Sequence, residues 1–242
     1  MRALAGVFFL SLVCACGTHS FPGQPAAGDE PVQPSRVLDF DVLYAKNCAG
    51  CHGLQGRGGA SVELGDPLYL AFADDTVLRR VTAAGVPGTS MPAFAQSAGG
   101  TLTEAQLEVL VKGMRNRWGK QGALSGTAPP PYAASSPGDS GRGGPVYDVF
   151  CARCHGPGGR GGALGSSIVE PTYLALVSEQ HLRTSVLVGR ADLGAPDWRS
   201  DVPGRPMSPQ EVSDVVAWLS SHRVAYPGQP YPPGRASAGA LP

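Results

Sequence analysis

The sequence predicts a helical chain built as two tandem copies of one small domain. Three observations carry this. The run Cys48-Ala49-Gly50-Cys51-His52 returns as Cys151-Ala152-Arg153-Cys154-His155. Segments of helical spacing flank both runs in the same order. Between them lies a stretch, 119–142, rich in Gly, Ser and Ala and carrying Pro129-Pro130-Pro131, which reads as a linker with an extended, stiff centre. Two copies of about 85 residues can each bury a core, so the repeat is a domain duplication and not a solenoid.

The repeated pentad has a chemical reading. Two thiols three positions apart can each form a thioether to one porphyrin vinyl group, and the adjoining histidine can then bind the iron as proximal ligand. Cys48, Cys51 and His52, and Cys151, Cys154 and His155, are therefore read as two c-type haem attachment sites. The alternatives are one Zn(Cys)4 knuckle or a redox dithiol. Against the first, the pairs lie 103 residues apart and each is followed by His-Gly. Against the second, no βαβ pattern surrounds either pair.

The charge, 19 basic against 19 acidic residues, argues against nucleic acid as a partner and gives no sign of strong electrostatic steering. Aromatic residues are few, so each domain has a modest core of its own and a buried haem would supply apolar surface. After Met1-Arg2 the chain is apolar to Ala15, which reads as a signal peptide, residues 1–16, too short to span a membrane. Its end, Val13-Cys14-Ala15-Cys16-Gly17, resembles a bacterial lipobox. That resemblance implies lipidation of Cys16, with plain secretory cleavage as the alternative; either places the mature chain outside the cytoplasm. Residues 17–36 read as a flexible tether.

The first domain, 37–118, opens with Phe40, Leu43, Tyr44 and Asn47 on helical spacing leading into the pentad. A glycine-rich loop and Pro67-Leu68-Tyr69-Leu70 follow, then a helix from Asp74 or Asp75 to about Ala84 and the loop Gly88-Thr89-Ser90-Met91-Pro92-Ala93-Phe94. A last helix is capped by Thr103 and ends near Trp118. The second domain, 143–226, answers element by element. Tyr147 stands four residues before its pentad, as Tyr44 does, and Pro171-Thr172-Tyr173-Leu174 answers the earlier Pro-Leu-Tyr-Leu run. Ser208 caps a last helix with Pro209 at its first position. Residues 227–242 read as a disordered tail.

Both halves resemble class I cytochrome c domains, on the helix into Cys-x-x-Cys-His-Gly, the later Met-Pro loop and the closing helix. The first half, with Gly88 to Phe94 and then Leu102-Thr103-Glu104-Ala105-Gln106-Leu107, is similar to the haem domains of diheme cytochromes such as the third subunit of cbb3-type oxidases. The resemblance implies an all-α fold, one covalent haem c per domain, and single-electron transfer.

A methionine sulfur opposite the histidine stabilises Fe(II) and raises the potential. Met91, 39 residues after His52 in a Gly-x-x-Met-Pro loop, is the expected ligand of haem 1. The second domain departs from the pattern, because Ala195 falls where Met91 sits. Met207, 52 residues after His155, is the expected ligand of haem 2. It also stands where a hydrophobic staple packs onto the last helix, the place of Leu102 in domain 1, so a staple, an open iron or another ligand such as His181 remain as alternatives. His181 reads as solvated on a surface helix, and His222 as a favourable charge at a helix end. The resemblance implies that the carbonyls of Pro67 and Pro171 accept the proximal ring N–H groups. Arg57, Arg79, Arg160 and Arg183 recur at matching places as propionate partners or exposed charges. Tyr69, Tyr173, Phe94 and Trp198 are expected to line the clefts as packing.

No catalytic set stands out. The expected function is a membrane-tethered, periplasmic-side electron carrier. It would work between a dehydrogenase or quinol-oxidising complex and a terminal oxidase, in respiration or photosynthesis. The alternative is a redox enzyme or gas sensor at haem 2, and the most remote reading is a lipoprotein without haem.

Overall fold

The computed structural model describes Gly23, residues 31–126 and residues 128–225. The signal peptide, Cys16, most of the tether and the tail lie outside the described residues. Among the described residues there are helices and turns but no strand, only isolated bridges pairing Ala95 with Leu102 and Arg190 with Ala195.

Domain 1 comprises α1 (Phe40–Asn47), α2 (Ala49–His52), α3 (Pro67–Phe72), α4 (Asp75–Ala84) and α5 (Glu104–Trp118). Domain 2 comprises α6 (Ser140–Phe150), α7 (Ala152–His155), α8 (Pro171–Leu176), α9 (Glu179–Val188) and α10 (Pro209–Ser221). Local chemistry explains the helix starts. Asp39, Asp66 and Asp74 cap α1, α3 and α4 through their carboxylates, as Asp139 and Glu170 do for α6 and α8; Ser178 caps α9 through its hydroxyl oxygen. Thr103 with Gln106, and Ser208 with Glu211, close reciprocal capping boxes at α5 and α10. The six-residue helices α3 and α8 each begin on a proline, whose fixed φ suits the first turn and whose missing N–H costs nothing there.

In each domain the first and last helices cross closely. A Cβ on Gly113 of α5 would meet the Phe40 ring of α1 at 2.0 Å, and one on Gly143 of α6 would meet the Asp214 carbonyl oxygen of α10 at 2.1 Å. Trp118 packs on Phe40 and Tyr44 with ring centroids 5.7 and 5.0 Å apart, and Tyr147 stacks on Trp218 at 4.3 Å. Leu107 and Leu110 of α5 and Val212 and Val215 of α10 are fully buried, each contributing roughly 1.5–3 kcal/mol by leaving water.

The domains are docked. One buried apolar cluster includes Leu70 and Ala73 from domain 1 and Leu187 and Trp198 from domain 2, and Phe72 meets Trp198 edge-on at 5.2 Å. Arg190 of domain 2 lies 3.7 Å from the buried carboxylate of Glu63 in domain 1. The linker is bound along its proline run. Pro130 is buried, and Arg183, only 2% exposed, donates to the carbonyls of Pro131 (2.7 Å) and Tyr132 (2.9 Å) and to Ser213 Oγ (3.2 Å). Arg183 thus serves the linker and does not match the propionate role expected of it.

α6 begins three residues before the expected domain edge, and its start is fixed by Asp214 on α10. Its carboxylate accepts from Arg142 Nε and Nη2 at 2.8 and 2.9 Å and from the Asp139 N–H at 2.8 Å. These bonds, Arg142 first, hold the Asp214 carboxyl down at about 2. A depressed carboxylate supplies stability that is whole above the ordinary aspartate pKa and is lost as pH falls through the folded value. The wild type is therefore expected to lose stability between pH of about 4 and about 2. Asp214→Asn should flatten that slope and lower Tm at neutral pH, as followed by denaturation at successive pH values.

Candidate functional site

Each pentad is wound into a single turn. Cys48 ends α1 and starts α2, whose residues Ala49–His52 carry Cys51 and His52; Cys151 does the same for α6 and α7, Ala152–His155. The preceding tyrosine locks this turn to the loop beyond it. Tyr44 Oη donates to the Gly53 carbonyl at 3.0 Å, and Tyr147 Oη to the Gly156 carbonyl. Each of these glycines has a left-handed φ, 79° and 71°, which turns the chain sharply out of the pentad.

The histidines are held by backbone. His52 Nδ1 donates to the Val62 carbonyl at 2.7 Å, and His155 Nδ1 to the Ser166 carbonyl at 2.8 Å. These carbonyls replace the expected ones of Pro67 and Pro171: the chain returns to the ring within the glycine-rich loop, before α3 and α8 begin. Each bond fixes the tautomer that leaves Nε2 with its lone pair free. His52 Nε2 is buried without a hydrogen-bond partner, a costly state for a ring nitrogen unless something binds it. Burial, the larger effect, lowers the pKa of His52, so its ring is neutral and able to ligate.

All four described cysteines are free thiols. Burial, with the charge of Cys51 second, pushes Cys48 up to about 12; burial likewise pushes Cys151 up to about 12. Burial of these two sulfurs disfavours their thiolate forms. Among the described residues, no three His, Cys, Asp or Glu side chains converge to hold a metal ion, so the two pairs do not form a zinc knuckle. A porphyrin bound by two thioethers and one imidazole fits this donor set at both pentads.

Met91 lies half-buried in the loop after α4, its N–H donating to Thr89 Oγ1 at 3.2 Å. Met207 is 6% exposed and lies in the same apolar cluster as Val212, four residues beyond the Ser208 cap. Its N–H donates to the Trp198 carbonyl at 2.8 Å, as that of Leu102 donates to the Phe94 carbonyl at 2.7 Å.

The supporting charges divide differently from expectation. Arg79 reaches Glu104 and Glu108 of α5. Arg57 donates through Nε and Nη2 to the Gly65 carbonyl at 3.1 and 2.8 Å. His181 is not solvated. It is partly buried on α9, and burial followed by the nearby charge of His52 lowers its pKa, which puts it beside domain 1. His222 ends α10, donating from Nδ1 to the Trp218 carbonyl at 2.8 Å. The sequence reading missed Glu63, 5% exposed, which accepts from the Gly58 N–H at 3.1 Å next to the carbonyl that holds His52. A lone acidic residue inside a glycine-rich loop was its only signal.

The chain was compared with known proteins. The family described as "Cytochrome C oxidase, cbb3-type, subunit III" matches residues 36–112, and the family described as "Cytochrome c" matches residues 140–223. A Corynebacterium efficiens protein named "Cytochrome bc1 complex cytochrome c subunit" is 27% identical over 234 residues, 91% of this chain and 76% of that protein. The protein of the same name from Mycobacterium tuberculosis (strain ATCC 25618 / H37Rv) is 26% identical over 178 residues, 73% of this chain. The chain spans only 60% of the length of that mycobacterial relative. Among solved structures, a chain of the Kuenenia stuttgartiensis reducing HAO-like protein complex covers 76% of this chain and 95% of its own, at a TM-score of 0.43 and 17% identity.

Replacing Cys48 and Cys51 together by serine should halve covalently bound haem, from two per chain to one, and the Cys151, Cys154 pair should do the same. Pyridine haemochrome absorbance per mole of protein checks both.

Proposed function

We propose that this chain, a diheme c-type cytochrome of two tandem cytochrome c domains, relays single electrons on the outer face of a bacterial membrane to which it is tethered. Each haem c, when bound, supplies one-electron iron chemistry at a potential set by its ligands and surroundings. The protein's part is to hold and tune. Val62 and Ser166 fix the imidazoles of His52 and His155, and the paired cysteines make each attachment permanent. The single observation that carries the reading is that both attachment turns belong to one compact unit with a shared apolar cluster, which supports a relay between them.

In this reading Met91 would supply the second protein ligand of haem 1, supported by its Met-Pro loop and by the similarity of residues 36–112 to cbb3-type subunit III. The donor is a quinol-oxidising complex and the acceptor a terminal oxidase; support comes from relatives named as cytochrome c subunits of a bc1 complex. A lipid on Cys16 provides the tether, on the evidence of the lipobox-like Val13 to Gly17. Among the described residues no helix is long and apolar enough to cross a membrane.

The test is quinol-driven reduction of the purified cytochrome by host membranes, followed by reoxidation by an oxidase-containing fraction. Failure of both steps would sink the relay reading. Met91→Ala should abolish the sulfur-to-iron charge-transfer band and lower one haem potential by on the order of 100 mV. Redox titration checks it. Cys16→Ala should move the protein from the membrane to the soluble fraction.

A further inference from the structure

The two domains repeat the same loop around the position of Met91. Val86 donates its N–H to the Met91 carbonyl at 3.0 Å, and Arg190 donates its N–H to the Ala195 carbonyl at 3.0 Å. The glycine that ends the preceding helix, Gly85 or Gly189, sits under this loop at matching φ of 67° and 68°. A Cβ there would meet the Met91 or Ala195 carbonyl oxygen at the same 2.7 Å. Three residues on, Phe94 and Trp198 accept the N–H of Leu102 and Met207 at 2.7 and 2.8 Å. The loops are therefore in register at both ends. Ala195 stands at the place of Met91, and Met207 stands at the place of Leu102, buried with Val212 as a staple on the last helix. Alanine has no donor for iron. The only methionine of domain 2 is occupied in packing.

A cavity of about 420 Å³ opens beside this loop, between Arg153 inside the second pentad and Val188, Gly194, Ala195 and Pro196. Four charged side chains reach it, and they cancel in pairs: Arg153 with Asp201 at 3.2 Å, and Arg199 with Asp197 at 2.6 Å. Its lining mixes these paired charges with small apolar groups, Ala195 among them, next to the second attachment turn.

We infer that haem 2, held by His155, would have no second protein ligand, because Ala195 stands where Met91 does and Met207 is packed as a staple, and that its iron would be open to a small diatomic molecule. The inference uses the reading of Met91 as the ligand of haem 1, since Ala195 is judged against it. It does not depend on the identity of the electron donor or acceptor. Binding is simple coordination to Fe(II), with no bond broken and no electron transferred.

The experiment is optical titration of the dithionite-reduced full-length diheme protein with carbon monoxide, read per haem. Wild type is expected to bind one carbon monoxide per chain. Ala195→Met is expected to abolish binding, and Met91→Ala to raise it to two. Met207→Leu is expected to leave the stoichiometry at one, and its oxidised spectrum unchanged. No binding by wild type, with binding restored by Met207→Leu, would make Met207 the ligand and overturn the inference. No binding by either would overturn it in favour of another closing group. Two carbon monoxide molecules on wild type, reduced to one by Ala195→Met, would defeat the Met91 reading and leave the inference standing.

Discussion

Everything in each domain is arranged around one hydrogen bond, from the Nδ1–H of a histidine to a backbone carbonyl. His52 and Val62, and His155 and Ser166, make that bond at 2.7 and 2.8 Å. It decides which ring nitrogen is free, and so which face of the ring can hold iron. The residues that support it are mostly structural. The tyrosine four positions before each pentad pins the attachment turn to the glycine after it. The glycine-rich loop then brings a carbonyl back over the ring. The short helices α3 and α8 start on prolines and anchor the far end of that loop. A shift of a few tenths of an ångström anywhere in this circuit would misdirect Nε2, which is why so much of a small domain serves one imidazole.

The pairing of the domains adds an asymmetry that duplication alone would not produce. The loop that holds His52 faces domain 2 through Glu63, and the carboxylate is met by Arg190. Arg190 is also the residue whose N–H opens the loop carrying Ala195. Trp198, at the other end of that loop, packs on Phe72 of domain 1. The proximal side of the first haem site is thus joined to the Ala195 side of the second by an ion pair and a ring contact. A buried carboxylate without Arg190 would be costly, and Arg190 without Glu63 would retain only Asp192. The arrangement favours fixed docking, and the bound linker agrees with it.

Much of this was legible in the sequence. The capped helices at Asp75, Glu104 and Pro209 start where Asp74, Thr103 and Ser208 predict, because a cap is a local, side-chain device. The pentads and their tyrosines were legible for the same reason. The carbonyls of Val62 and Ser166 were not, since every residue carries a carbonyl and only the path of the loop selects one. Arg183 departs from both readings given for it, because a repeated charge reads alike whether it meets a haem propionate, solvent or a protein carbonyl. Arg183 is held by the linker and Arg79 by α5, and both contacts span long stretches of chain. His181 was misplaced on the surface because the sequence of α9 does not show that its outer face is covered by the other domain.

The divergence of the two halves is concentrated where a ligand would be set. From Gly85 to Leu102 and from Gly189 to Met207 the backbone bonds coincide at both ends of the loop, yet the side chains there differ: Met91 against Ala195, Phe94 against Trp198, Leu102 against Met207. A methionine placed at Leu102's position is a gap-filling apolar side chain with the flexibility to pack on Val212. Its backbone N–H is held by the Trp198 carbonyl and its side chain lies in the staple on α10. On the ligand readings proposed above, the same backbone would support two different iron environments, and the difference would rest on one side chain, at position 195.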